Sequence, residues 1–527
     1  IMGFSNEQLY GLSQKIINKS RNAFFGEAYN LSYVDIFEYA SKKQGLKKWQ
    51  IELGIHHQEL HIPWDEPVPE ELWETVADYC DNDVRSTEAV HQARIQDYNA
   101  RLILAKLSGL TVNSTTQQHS TRIIFGTDRK PQSKFIYTDL ATGNRIYGED
   151  TPVSEHDAGD VAFEGYTFKF GKSEYRDEDP SEGGYVYAEP GMYQNVAVID
   201  VASMHPTSIV NLNAFGPYTK NFKALMTARL AIKRRDFETA QYLFDGALKP
   251  YLGSDDDAEA LSYALKIVIN IVYGMTSAGF ENAFRDPRNV DNIVAKRGAL
   301  FMIDLKNFVQ DLGYQVVHIK TDSIKIPDAD QKIIDLVMEF GQDYGYEFEH
   351  EATYDQFCLV NNAVYIAKVR AGRKPEHWEA VGAQFQHPYV FKTLFTKEPL
   401  EFKDICETKT VTSSLYLDFT ENDDTPMALR PEGSSNLRFV GKAGSFVPVV
   451  SGGGELLREK DGKYHSATGA KGYRWIEAEV MRDRLDESQP ISSNEQVDWS
   501  YFRHLTDDAI DNISNYGDFE MFTHEGK

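Results

Sequence analysis

The spacing of apolar and polar residues changes along this chain, and the changes divide it. Residues 1–110 carry helix-like spacing, and one long helix is predicted from about Pro69 to Leu107. Across residues 111–190 the runs "TRIIFG", "SKFIYT" and "YTFKFG" read as strands, and "YRDEDPSEGG" reads as an acidic, glycine-bearing linker. Residues 191–395 alternate strand and helix patterns. Beyond 395 come short strands and polar loops ("ENDDTPMALRPEGSSN", "SGGGELLREKDGK"), then a helical C-terminus. No internal repeat or low-complexity tract breaks this order.

Three stretches combine an apolar pattern with chemistry. In "NVAVIDVASMHPTSI" the run Val196–Ile199 reads as a buried central strand that ends in Asp200, and Pro206 disfavours helix at His205. In "VVHIKTDSIKI" a strand, a tight turn and a second strand place Asp322 at the tip. An acid at a strand end either caps the next turn or presents a carboxylate at a sheet edge. If the two strands are neighbours in one sheet, the two carboxylates meet and form a site for divalent cations. Between them lies "YALKIVINIVYGM", a predicted helix with Ala264, Ile267, Val268, Ile271 and Met275 on a buried stripe. Lys266, Asn270 and Tyr273 share its other face, with Gly274 leaving room beside the ring. A cation, an amide and an aromatic in a row suit a nucleoside triphosphate, although a solvated face carries the same pattern. Upstream, "MTARLAIKRRD" sets Arg229 and Lys233 one turn apart, next to Arg234 and Arg235, able to grip a polyphosphate or to form a plain basic patch.

Length and composition bound these readings. The chain has 527 residues, room for about three or four domains. Its 41% hydrophobic and 12% aromatic content supports large cores. The three cysteines, Cys80, Cys358 and Cys406, form no CxxC pattern and no disulfide framework, as expected of a reducing cytoplasm. Apolar runs such as "IVINIVYGM" fall short of a membrane span, and no signal peptide is expected. A net charge of −25 speaks against a protein that binds nucleic acid over its whole surface, but leaves room for a local basic channel. The chain opens on Ile1 directly into helix-like sequence, from which a missing N-terminus is expected.

Taken in chain order, the stretches run acid, basic helix, Lys-Asn-Tyr-Gly helix, acid. In that order the sequence resembles family B DNA polymerases, particularly those of bacteriophages. "DVASMHPTSI" is similar to their motif A, an Asp followed by Ser-Leu-Tyr-Pro-Ser. "KIVINIVYG" is similar to motif B, with Lys266, Asn270, Tyr273 and Gly274 in register, and "HIKTDSIKI" to motif C, usually Tyr-Gly-Asp-Thr-Asp-Ser. "EGGYVYAEPGMY", with Gly183 and Gly184, resembles the Gly-Gly segment that leads into the palm. "NNAVYIAKV", with Tyr365, resembles a later duplex-contacting segment. The main matches cover roughly residues 180–330.

The resemblance implies an α+β right-hand polymerase, with a connecting region at 111–190, palm at 191–222 and 286–395, fingers at 223–285 and thumb at 396–527. Residues 1–110 would be the C-terminal part of a ribonuclease H-like DEDDy 3′–5′ exonuclease domain. Asp200 and Asp322 are then the catalytic carboxylates, holding two Mg²⁺ ions (or Mn²⁺ in their place) with the Val201 carbonyl as a further ligand. The primer 3′-oxygen attacks the α-phosphate of a dNTP and pyrophosphate leaves. Arg229, Lys233, Lys266, Asn270, Tyr273, Gly274, Ser203 and His205 fall to the incoming nucleotide. Gly183, Gly184, Thr321 and Tyr365 fall to primer–template DNA. Four positions depart from the family pattern. Lys320 replaces the first Asp of motif C, His205 replaces the motif A Tyr, Ile271 replaces a Ser, and Ala363 stands where a Lys precedes the later Tyr.

Tyr79 and Asp83, in "YCDND", resemble the last exonuclease motif, but residues 1–78 contain no Asp-x-Glu to complete that site; upstream acids such as Asp35, Glu38, Asp65 and Glu66 lack that spacing. The short stretches from Asp200 to Lys266 and from Gly274 to Asp322 leave little room for the insertions of protein-primed relatives, so nucleic-acid priming is expected. The tail "GDFEMF" is either a sliding-clamp peptide, which would bring in replisome partners, or a packing segment. The expected location is the cytoplasm of a bacterial host. Two rival readings stand beside DNA polymerase: a non-catalytic nucleic-acid-binding fragment, and a polymerase of relaxed sugar selection.

Overall fold

The computed structural model describes residues 4–18, 34–57, 59–62, 66–152, 159–372, 374–419, 437–467, 469–470, 472–477 and 494–524. The polar loop 421–436 and Asp65 lie outside the described residues.

A seven-stranded sheet organises the chain. Its strands lie in the order His377–Val381, Val364–Val369, Phe348–Asn361, Gly191–Val201, Ser323–Pro327, His318–Lys320 and Val186–Ala188, every pair antiparallel. The central strand, Gly191–Val201, divides its apolar residues between two cores, as the two-residue period of a strand requires. Ala197, Ile199 and Val201 face the large core, shared with the helices. Val196 and Val198 face a smaller one with Val317, Tyr354, Phe357 and Tyr365. The helix Ile293–Asp311 lies in the large core and is buried over almost its whole length. It carries a buried cation, Arg297, whose guanidinium makes a two-pronged ion pair with Asp160 at 2.5 and 2.8 Å and donates to the Tyr344 carbonyl.

Helices differ from the sequence expectation at four places. The long helix expected from Pro69 to Leu107 is two helices, Trp73–Ala93 and Ile95–Ser108, broken at Arg94. At the break the Arg94 side chain binds Asp97 and Ser41, so a tertiary contact outweighs helical continuity. "TRIIFG" is the end of the helix Thr116–Phe125, not a strand. A capping box between Thr115 and Gln118 starts it, and Gly126, at φ +62°, follows its last residue. A helix also begins at Met204, despite Pro206. Ser203 turns the chain at φ +60°, and a proline in the first turn removes only an N–H that has no intrahelical acceptor. Finally, the helix Asp255–Thr276 buries Leu261, Ala264, Leu265, Val268, Ile269 and Val272, a stripe rotated from the expected one; Ile267, Ile271 and Met275 are only half-buried.

That last helix is long and apolar enough to cross a membrane, contrary to the expectation that no stretch would be. Here its apolar face packs on the helices Thr219–Lys233, Ile95–Ser108 and Thr116–Phe125. The Tyr263 hydroxyl ties it to Asp97 at 2.5 Å.

The C-terminal region forms a second antiparallel sheet, in the order Lys463–Ser466, Glu455–Lys460, Glu407–Asp418, Leu437–Pro448 and Tyr473–Trp475. Two of its strands run to 12 residues, longer than the short strands expected. The helix Trp499–Ser514 packs on one face of the first sheet, where Ala509 and Ile513 join Cys358, Ile366 and Phe385. The tail "GDFEMF" packs there too. Phe522 is buried and Phe519 lies against the same cluster, so neither aromatic is displayed to a clamp.

Arg297→Met leaves the Asp160 carboxylate buried without a counter-charge. It is expected to cost about 3–5 kcal/mol of stability in urea unfolding; a loss under about 1 kcal/mol contradicts this account of the core.

Candidate active site

Asp200 sits near the end of the strand Gly191–Val201, and Asp322 sits in the turn that leads into the neighbouring strand Ser323–Pro327. Asp200 is directly opposite Ser323, and the Val201 N–H donates to the Asp322 carbonyl at 2.9 Å. The hairpin makes its turn through Thr321, at φ +59°. Asp200, Val201, Ser203 and Asp322 line one cleft of about 620 Å³ with Arg229 and Lys233.

Burial dominates the electrostatics of this pair. Burial, then the charges of Asp322 and Glu351, push the Asp200 carboxyl up to about 7. Burial also raises Asp322. Three further acids approach from the strand Phe348–Asn361 and the residue before it. Glu349 is directly opposite Asp200, Glu347 lines the cleft, and Glu351 is the extra residue of a β-bulge between the partners of Val198 and Ile199. Sequence reasoning missed them. The signal was the Glu-x-Glu-x-Glu spacing of "EFEHE", which sets acids on one strand face.

A buried cation was also missed. Lys325 lies opposite Val198 and is 4% exposed, with its ammonium 5.5 Å from the centre of the Tyr365 ring and 3.4 Å from the Ser323 hydroxyl. Burial lowers it to about 8, opposed by Glu379 and Asp200. Lys320, which stands where the family has an acid, is exposed on the same hairpin.

Among the described residues, no three His, Cys, Asp or Glu side chains form a metal cage. The donor set fits Mg²⁺ nevertheless. Asp200 and Asp322 line one cleft with Val201, and their hard oxygen donors would supply part of an octahedral shell that substrate phosphates and water complete.

The basic helix Thr219–Lys233 places its cations unequally. Arg229 and Lys233 face the cleft, and the Arg229 Nε is buried without a partner. Arg234 also lines the cleft, 4.0 Å from Glu347, while Arg235 pairs with Asp255 at 3.1 Å and does not line it. On the helix Asp255–Thr276, Lys266, Asn270 and Gly274 are exposed and do not line this cleft. Tyr273 turns instead onto His205; the rings stack with centroids 4.0 Å apart and planes 11° apart. Burial holds the imidazole down near 4, so it is neutral at pH 7, and its Nδ1 is buried without a partner.

The Gly-Gly segment closes on the hairpin. Thr321 N–H donates to the Tyr185 carbonyl, and a Cβ on Gly184, at φ +150°, would come within 2.9 Å of the Thr321 methyl group. Gly183 is exposed at the rim of a second cleft. Tyr365 is not at the surface, contrary to a duplex-contacting role. The neighbouring strand His377–Val381 covers it, and its hydroxyl donates to Glu379 at 3.1 Å. Tyr79 and Asp83 meet around a cation, with Glu59 close enough to interact with both. Lys47 pairs with Asp83 at 2.6 Å and lies 4.0 Å from the centre of the Tyr79 ring, while Gln50 donates to the same carboxylate.

No family model matches the sequence, and no curated protein matches it. Among solved structures, the family B DNA polymerase from the hyperthermophilic archaeon Pyrobaculum calidifontis aligns with 91% of this chain at 15% identity and a TM-score of 0.40. The chain spans 63% of that polymerase's length.

Proposed function

We propose that this chain is a DNA-templated DNA polymerase of the family B type, adding dNMPs to a primer 3′ end. The observation that supports it most is the pairing of Asp200 with Asp322 in one cleft that also holds Arg229 and Lys233. In this reading the seven-stranded sheet is the palm, the helices within residues 223–285 are the fingers, and the C-terminal sheet belongs to the thumb.

Two Mg²⁺ ions, held by Asp200, Asp322 and the Val201 carbonyl, would activate the primer 3′-oxygen and neutralise charge on the α-phosphate and the leaving pyrophosphate. Arg229 grips triphosphate oxygens through its planar fork, and Lys233 adds a point charge. The stacked His205 and Tyr273 rings form a flat wall for the sugar and base. Lys325, fixed beneath Asp200, offsets part of the repulsion among the acids, and Lys320 at the hairpin is placed for a primer phosphate.

Asp200→Ala and Asp322→Ala are each expected to lower primer extension by more than about 100-fold, beyond the usual effect of disturbing the groups around a metal, with duplex binding largely kept. Near wild-type extension by either variant refutes the assignment. Because Asp200 in the free protein keeps its proton up to about pH 7, cation binding must displace that proton. The Mg²⁺ concentration for half-maximal extension is therefore expected to rise as pH falls from 8 to 6; a flat requirement contradicts it. His205, smaller than a tyrosine, is expected to exclude ribonucleotides weakly. His205→Tyr should raise the ratio of dNTP to rNTP incorporation, and an unchanged or lower ratio removes His205 from sugar selection. With Asp83 paired to Lys47, the 527-residue chain is expected not to shorten a mismatched primer in Mg²⁺ without dNTPs. Rapid shortening that is lost in Asp83→Ala overturns that expectation.

A further inference from the structure

The hairpin Thr167–Lys169 and Lys172–Glu174 breaks two local rules at the same place. Its two-residue turn is Phe170–Gly171, with φ of +54° and +75°. A turn with both central residues left-handed favours Asn-Gly, because a bulky side chain at the first position is strained. Phe170 is nevertheless there, and it is fully exposed at 101%. Flanking it, Lys169 and Lys172 are directly opposite each other, a like-charge cross-strand pair. Both are exposed, and neither has a carboxylate within 4.0 Å among the described ion pairs. An ordinary hairpin gains nothing from a strained, solvated ring between two unpaired cations. Local conflicts of this kind concentrate where a segment serves a ligand.

The hairpin rims a cleft of about 1290 Å³ that also takes in Gly183, Tyr273 and Ser277, so it leads to the Gly-Gly segment and the His205–Tyr273 stack. The cleft wall carries Glu174, Asp177 and Glu182, which repel phosphate. A nucleic-acid backbone is thereby kept to the lysine rim. We propose that the Lys169–Lys172 tip holds the single-stranded template ahead of the primer terminus, with one unpaired base stacked on Phe170 and adjacent phosphates on Lys169 and Lys172. Aromatic rings between lysines are what binding a single strand without sequence preference requires, since every base has a face to stack and every nucleotide a phosphate. The assignment of the strand as template rests on the polymerase reading above; the binding of single-stranded DNA does not.

The test uses the full chain with primer–templates whose 5′ overhang carries 2-aminopurine at successive positions. The wild type is expected to quench the fluorophore at one position of the overhang. Phe170→Asn should restore the preferred turn chemistry, leave thermal stability equal or higher, abolish that quench and weaken binding of a single-stranded oligonucleotide about tenfold, the worth of one base–aromatic stack. The double variant Lys169→Gln/Lys172→Gln should reduce the salt dependence of single-strand binding by about 1.4 in log–log slope, two phosphate contacts' worth. Phe170→Asn that binds and quenches like the wild type overturns the proposal, as does a wild type with no position-specific quench. Primer extension measured alongside separates the two readings. Active synthesis with no Phe170 effect sinks this inference alone. Phe170-dependent binding without synthesis sinks the polymerase reading and leaves the single-strand site standing.

Discussion

The proposed active site depends on one register, the antiparallel pairing of Gly191–Val201 with Ser323–Pro327. A one-residue slip of the central strand would turn Asp200 into the large core and push Ile199 out of it. Ile199 and Val196 are both fully buried, on opposite faces of the strand. A slip would exchange these side chains between two packed cores, where each misfit costs about 1–3 kcal/mol, and would drive the Asp200 carboxylate into the large core. The packing of the two cores and the charge together therefore fix which face Asp200 is on. The bond from Val201 to the Asp322 carbonyl fixes how far along it stands.

That placement is electrostatically unfavourable by itself. Asp200, Asp322, Glu349 and Glu351 converge, and the only buried lysine beside them, among the described residues, is Lys325. Burial and the neighbouring acids raise the Asp200 carboxyl, which eases the repulsion by favouring its protonated form. The buried Arg297–Asp160 pair, by contrast, is satisfied within the protein and serves the scaffold. The two clusters show how the same side-chain types hold a core or carry chemistry according to whether their charges balance.

Legibility in the sequence followed interaction range. The buried strand ending in Asp200 and the hairpin bearing Asp322 were readable because a four-residue apolar run and a turn are local. Their adjacency needed the assumption that both strands share a sheet. The helix at Met204 was misread because the proline rule was applied without its first-turn exception. The helix Thr116–Phe125 was misread although its capping box was present in Thr115 and Gln118. Lys325 and Tyr365 were not legible as neighbours, since cross-strand contacts decide their burial. The rotated stripe of Asp255–Thr276 reflects packing on several helices at once, which a single-face pattern does not capture. The Phe170 tip carries no periodic signal; only a φ value and an exposure reveal it.

The central claim, that Asp200 and Asp322 form one cation site for phosphoryl transfer, is tested most directly by a structure of the chain with primer–template DNA, an incoming dNTP and Ca²⁺ in place of Mg²⁺. The account predicts two cations about 3.5–4 Å apart, both touching Asp200 and Asp322, with the triphosphate against Arg229 and Lys233. A nucleotide bound elsewhere, or cations that avoid either carboxylate, would contradict it.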